Sequence, residues 1–135
     1  MRPRVLTVGL DASPPPPLHS GHPGEGFEVD LLQAIADRIG VSIRYESALW
    51  RQIVDKLVHH ELDMICSAAT ITEERRQLVD FSIPYLDFPL AIVGRAAGPP
   101  IQRQADLAGR VIGVRVATTA EQFVQEHLPS SAVHS

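Results

Sequence analysis

Phe27-Glu-Val-Asp-Leu-Leu-Gln-Ala-Ile-Ala-Asp-Arg-Ile-Gly-Val-Ser-Ile-Arg-Tyr-Glu46 changes its hydrophobic period partway along. Val29, Leu31, Leu32, Ile35, Ala36 and Ile39 recur at three- and four-residue spacing, which draws one apolar face of a helix. Gly40 follows the last periodic position, where a left-handed C-cap is expected. From Val41 to Glu46 apolar and polar residues alternate, the pattern of a strand. Upstream, Val5-Leu-Thr-Val-Gly-Leu10 is a short apolar run closed by Asp11 and a proline-rich loop, so it reads as a buried strand. Strand, helix, strand in that order is the unit of an α/β fold with a largely parallel sheet.

The same alternation continues downstream. Trp50, Ile53, Val54, Leu57 and Val58 mark a second amphipathic helix that ends at His59-His60-Glu61. Leu62 to Cys66 reads as a third strand, and Thr72 as the N-cap of a short helix with Glu73 and Glu74 in its first turn. Leu90 to Val93 is expected to be a further strand, Val111 to Val114 another, and Thr118-Thr119 open a last helix. Gly and Pro concentrate at 95–100, which makes this stretch the best boundary candidate.

The chain has 135 residues, 12 Lys+Arg against 16 Asp+Glu, a formal charge of −4 and one cysteine. A negative balance with no basic stripe argues against a nucleic-acid partner. One cysteine cannot form an internal disulfide or a multi-cysteine metal site. No apolar run approaches the ~20 residues of a membrane span. No signal-peptide h-region follows Met1-Arg-Pro-Arg4, so the chain is either cytosolic or numbered from after a removed export signal.

In open parallel sheets, ligands bind beyond the carboxyl ends of the strands. Three segments occupy such positions: Asp11 onward, Ser67 to Arg75, and Arg115 to Thr119. Ser67-Ala-Ala-Thr70 leaves backbone groups open, and Arg75 can pair bidentately with a carboxylate. Taken alone, Arg75 is as well explained as a surface arginine, and Thr118-Thr119 as plain helix capping. Together they suggest a binder of small carboxylates.

Motifs for catalysis are absent: no G-x-S-x-G, no G-x-x-x-x-G-K-[ST], no H-E-x-x-H. His19 and His22 share an H-x-x-H spacing without a third ligand nearby, so no metal site is expected there. His59-His60 suit a helix end. Cys66 reads as a buried small hydrophobe, and Trp50 as core by default.

Several motifs in order then resemble the family 3 extracellular solute-binding proteins, the polar amino acid receptors of ABC importers. They are Val8 to Ser13, Gly26-Phe-Glu-Val-Asp-Leu31, Trp50 heading a helix, Asp63 to Arg75, Val79-Asp-Phe-Ser-Ile-Pro-Tyr85, and Leu107 to Val114 with Thr118-Thr119. The resemblance spans about residues 4 to 128. It implies a type II periplasmic-binding-protein fold, two α/β lobes closing on a ligand. Residues 1–94 would form lobe one, 95–105 the hinge or crossover linker, and 106–135 the start of a lobe two that is incomplete here. Arg75 would clamp the ligand α-carboxylate with Thr70 and Thr119, while Ser67, Ala68 and Thr70 would receive the α-amino group. Asp11 and Trp50 would flank the ligand side chain, and Ser13 and Thr118 complete the implied set. No cofactor and no metal are implied. The implied partners are an amino acid and a membrane permease, and the implied compartment is the periplasm or another extracytoplasmic space.

Three departures stand out. Prolines 14–17 replace an aromatic wall, Ala117 stands where Gly is usual, and family members continue for about another lobe. Cyclohexadienyl dehydratases use the same cleft for catalysis, which needs a placed acid or base. Membrane sensors and lytic transglycosylases also carry this domain. Both readings stay open at this point.

Overall fold

The computed structural model describes residues 4–12, 25–128 and 132–134. It divides into two compact units, Met1–Leu86 and Asp87–Ser135. In the first, β1 (Val5–Asp11) leads to α1 (Phe27–Ile39), β2 (Ser42–Ala48), α2 (Trp50–Val58), the short β3 (Met64–Ile65) and α3 (Glu73–Arg76). The three strands are parallel in the order β2-β1-β3. Asp11 lies opposite Ala48, and Gly9 opposite both Glu46 and Ile65.

Alternation along β1 sorts its side chains onto two faces. Val8 and Leu10 pack with Val29 and Leu32 of α1 and with Cys66, while Ala48, Trp50, Ile53 and Leu62 form a second cluster that includes α2. Each fully buried Leu or Ile contributes roughly 1.5–3 kcal/mol. Gly9 lets these residues approach the strand: a Cβ there would stand 2.5 Å from Leu62 Cδ1 and 3.1 Å from Ile53 Cγ1. Gly40 serves the other use of glycine. Its φ of 72° ends α1, and its N–H donates to Ala36 O at 2.9 Å.

The buried stripe of α1 is Glu28, Val29, Leu32 and Ala36. Ile35 and Ile39, expected on that face, are exposed. The packed stripe is narrower than the apolar pattern, and its first turn contains a carboxylate. Val58 of α2 is likewise exposed.

In the second unit, a 3-10 turn (Gln104–Leu107) precedes β4 (Val111–Gly113), α4 (Thr119–His127) and β5 (Ala132–His134). β4 and β5 are parallel, and Leu107, Val124 and Leu128 form a small core with Ile101, Ile112 and Val114. Leu90–Val93 is not a strand: it pairs with no strand among the described residues, and Val93 is 92% exposed. An apolar run becomes a strand only where a neighbouring backbone satisfies its N–H and C=O groups. Among the described residues no helix is long and apolar enough to cross a membrane.

Candidate functional site

With β1 central, the chain crosses to β2 on one side and to β3 on the other. The crevice at such a reversal lies beyond the carboxyl ends of β1 and β3. Asp11 ends β1 and is buried, and its N–H donates to Ser67 Oγ at 2.6 Å. That bond ties the end of β1 to the segment following β3.

Ala68 comes next with φ 44°, a left-handed conformation that costs a residue with a Cβ about 1 kcal/mol or more. Its N–H donates to Glu28 Oε1 at 2.6 Å and to the Tyr85 hydroxyl at 3.1 Å. Thr72 Oγ1 accepts from Arg75 N at 3.2 Å and so caps α3, as its sequence position predicts. Arg75 then stands at the third helical position. Its Nη1 donates to Thr70 O at 2.9 Å, and its guanidinium carbon lies 5.0 Å from the centre of the Trp50 ring. A guanidinium over an indole face is an attractive cation–π pair. Burial lowers the Arg75 pKa, while the Glu74 carboxylate opposes that shift.

These groups border a cavity of about 220 Å³ in the first unit. Trp50, Ser67, Ala69, Arg75 and Tyr85 line it, with apolar wall from Val54, Leu57 and Met64 and carboxylates from Asp63 and Asp80. An apolar-walled cavity with an oriented cation and two carboxylates suits a small ligand that carries both an anionic and a cationic group.

Of the residues singled out from sequence, Trp50, Ser67 and Arg75 line this cavity. Asp11 bonds to Ser67 and Thr70 to Arg75 of this lining, as already described, and Ala68 stands between Ser67 and Ala69. Ser13, His19, His22 and Pro14 to Pro17 lie outside the described residues. Thr118 and Thr119 stand in the second unit, where Thr118 caps α4. The Thr118 hydroxyl donates to Arg115 O at 2.6 Å and accepts from Glu121 N at 3.3 Å. Glu121 Oε2 accepts from Ala117 N at 2.7 Å, with Ala117 at φ 59°. This helix start is answered by its own side chain, a variant of the capping box.

Burial and the Glu28 charge push the Cys66 thiol up to about 11, which fits an inert buried thiol. His59 forms the C-cap of α2, with Nδ1 2.8 Å from Asp55 O. Glu28 and Tyr85 are the residues that sequence reasoning passed over. The available signal was the position of Glu28, four residues before Leu32 and eight before Ala36, on the stripe that packs.

Several known proteins share this chain's pattern. It is 30% identical over 127 residues to the L-cystine-binding protein TcyJ of Escherichia coli (strain K12), covering 92% of this chain and 48% of that protein. It is 28% identical over 132 residues to an L-arginine-binding protein of Pseudomonas aeruginosa, covering 96% and 51%. Among solved structures, an ancestral arginine-binding protein bound to glutamine matches with a TM-score of 0.88 and 34% identity, over 99% of this chain and 60% of that one. The chain thus spans about half the length of these curated relatives. Residues 6–127 match the bacterial extracellular solute-binding proteins, family 3, and the chain belongs to that family.

Proposed function

We propose that this protein is the substrate-binding component of an ABC importer, capturing an amino acid or similar small carboxylate in a cleft between two lobes outside the cytoplasm. The observation that carries this reading is Arg75, a cation set over Trp50, fastened to Thr70 O and bordering a cavity. The ligand's α-carboxylate pairs with Arg75, Thr70 and Thr119 in this reading, and its amino group with Ser67, Ala68 and Thr70. Asp11, Ser13, Trp50 and Thr118 surround the rest. Binding proteins for cystine and arginine among the similar proteins support an amino acid as the ligand class.

In the same reading residues 1–94 belong to lobe one, 95–105 cross between lobes, and 106–135 open lobe two. The activity is capture and release: lobe closure on the ligand favours one conformation, which a membrane permease then recognises.

A thermal-shift panel on the full-length protein tests this, using the standard L-amino acids, L-cystine and their decarboxylated amines. One or a few amino acids should raise the melting temperature in a concentration-dependent way, and the matching amines should not. A protein stabilised by none of the acids, or equally by acids and amines, would contradict the proposal.

A further inference from the structure

Glu28 is fully buried at the start of α1. Its Oε1 accepts from the Tyr85 hydroxyl at 2.6 Å and from the Ala68 N–H at 2.6 Å, while its Oε2 has no hydrogen-bond partner among the described residues. A buried carboxylate with one unanswered oxygen is costly. Its position suggests what it does instead. The Ala68 N–H it holds belongs to a residue at φ 44°, in the middle of the Ser67–Thr70 segment.

Tyr85 joins this buried group to the cavity. Its hydroxyl donates to Glu28 Oε1 and accepts from Ala68 N, Cys66 Sγ lies 3.9 Å from the same hydroxyl, and Tyr85 is among the residues that line the cavity. The Phe27 ring lies 6.4 Å from the Tyr85 ring, centre to centre, and is tilted against it by 32°.

We propose that Glu28 and Tyr85 are positioning residues for the ligand: the carboxylate and the phenol together hold Ala68 in its left-handed conformation, which aims the Ser67–Thr70 backbone at the cavity. This rests on the amino acid-binding reading above, and it adds two residues that touch the loop rather than the ligand's carboxylate.

The test uses full-length wild-type protein, Tyr85→Phe and Glu28→Leu, each titrated calorimetrically with the standard L-amino acids and L-cystine. Iodoacetamide labelling of Cys66 without ligand is the second readout, since a buried thiol is labelled only when its surroundings open. Both variants should bind the preferred amino acid about tenfold more weakly, as loss of a bond to a charged acceptor predicts. Glu28→Leu leaves the Tyr85 hydroxyl and the Ala68 N–H without this acceptor, so its melting temperature should fall as well. Tyr85→Phe removes one donor only and should move the melting temperature by no more than a few degrees, which separates its weaker binding from unfolding. Cys66 should label about tenfold faster in Tyr85→Phe, the rate expected when a local latch is lost. Folded variants that bind within twofold of wild type overturn the proposal. If wild type binds none of the amino acids, the binding reading fails. Labelling then still decides the latch: faster labelling in Tyr85→Phe supports it, and an unchanged rate overturns it. If Glu28→Leu does not fold, Tyr85→Phe decides alone.

Discussion

Two helix starts in this chain have nearly the same backbone and opposite chemistry. Thr72 caps α3 by accepting from the N–H at the third helical position at 3.2 Å, and Thr118 caps α4 in the same way at 3.3 Å. In α4 that third residue is Glu121, whose carboxylate turns back to Ala117 N and closes the start from within. In α3 it is Arg75, whose guanidinium has no acceptor to turn back onto the start and which, in a helix of four residues, stands in the last turn beside Arg76. Arg75 turns instead to Thr70 O and the Trp50 face, at the edge of a cavity. One start is closed by its own third residue, and the other sends that residue to the edge of a cavity.

Exchanging the distinguishing residue gives the largest expected effect. Arg75→Glu should lower amino acid affinity by about 100-fold or more, through loss of a charge-assisted bidentate pair. The melting temperature should fall by only a few degrees, since the bond to Thr70 O and the Trp50 contact that are lost are each worth about 1 kcal/mol. Calorimetry and thermal unfolding on one preparation check both, and unchanged affinity with a large fall in melting temperature would mean that Arg75 is structural. Trp50→Leu comes next: loss of the ring under the guanidinium should weaken binding by about three- to tenfold, read by the same titration. In the second unit the expected effects are chiefly on stability. Glu121→Ala should cost about 0.5–2 kcal/mol, the usual worth of a cap, in denaturant unfolding, with affinity changed far less than by Arg75→Glu. Ala117→Gly should contribute about 0.5–1 kcal/mol by relieving a positive φ. A destabilised Ala117→Gly would show that the Ala117 conformation is not strained.

Much of the secondary structure in both units was legible because its signals are local. The period change between Ile39 and Val41, Gly40 at a left-handed C-cap, and Thr72 and Thr118 as caps depend on neighbours within a few residues, and the structure shows each. Arg75 and Trp50 were separately legible, and their stacking was not, since it joins residues 25 apart through the fold. Glu28 was missed because a pattern scores an acid as outward-facing, whereas its partner Tyr85 lies 57 residues away. Leu90–Val93 failed in the opposite sense. Its apolar composition met the strand pattern, but a strand also needs a neighbouring backbone, which a local pattern does not contain.

The central claim is that the Arg75 guanidinium meets a ligand carboxylate. A double cycle isolates that pair: full-length wild type and Arg75→Ala, each titrated with the preferred amino acid and with its carboxamide. Wild type should prefer the acid by about 100-fold, in keeping with a desolvated charge-assisted pair. In Arg75→Ala the preference should collapse to within a few-fold. An Arg75→Ala protein that keeps the full preference for the carboxylate would contradict the account.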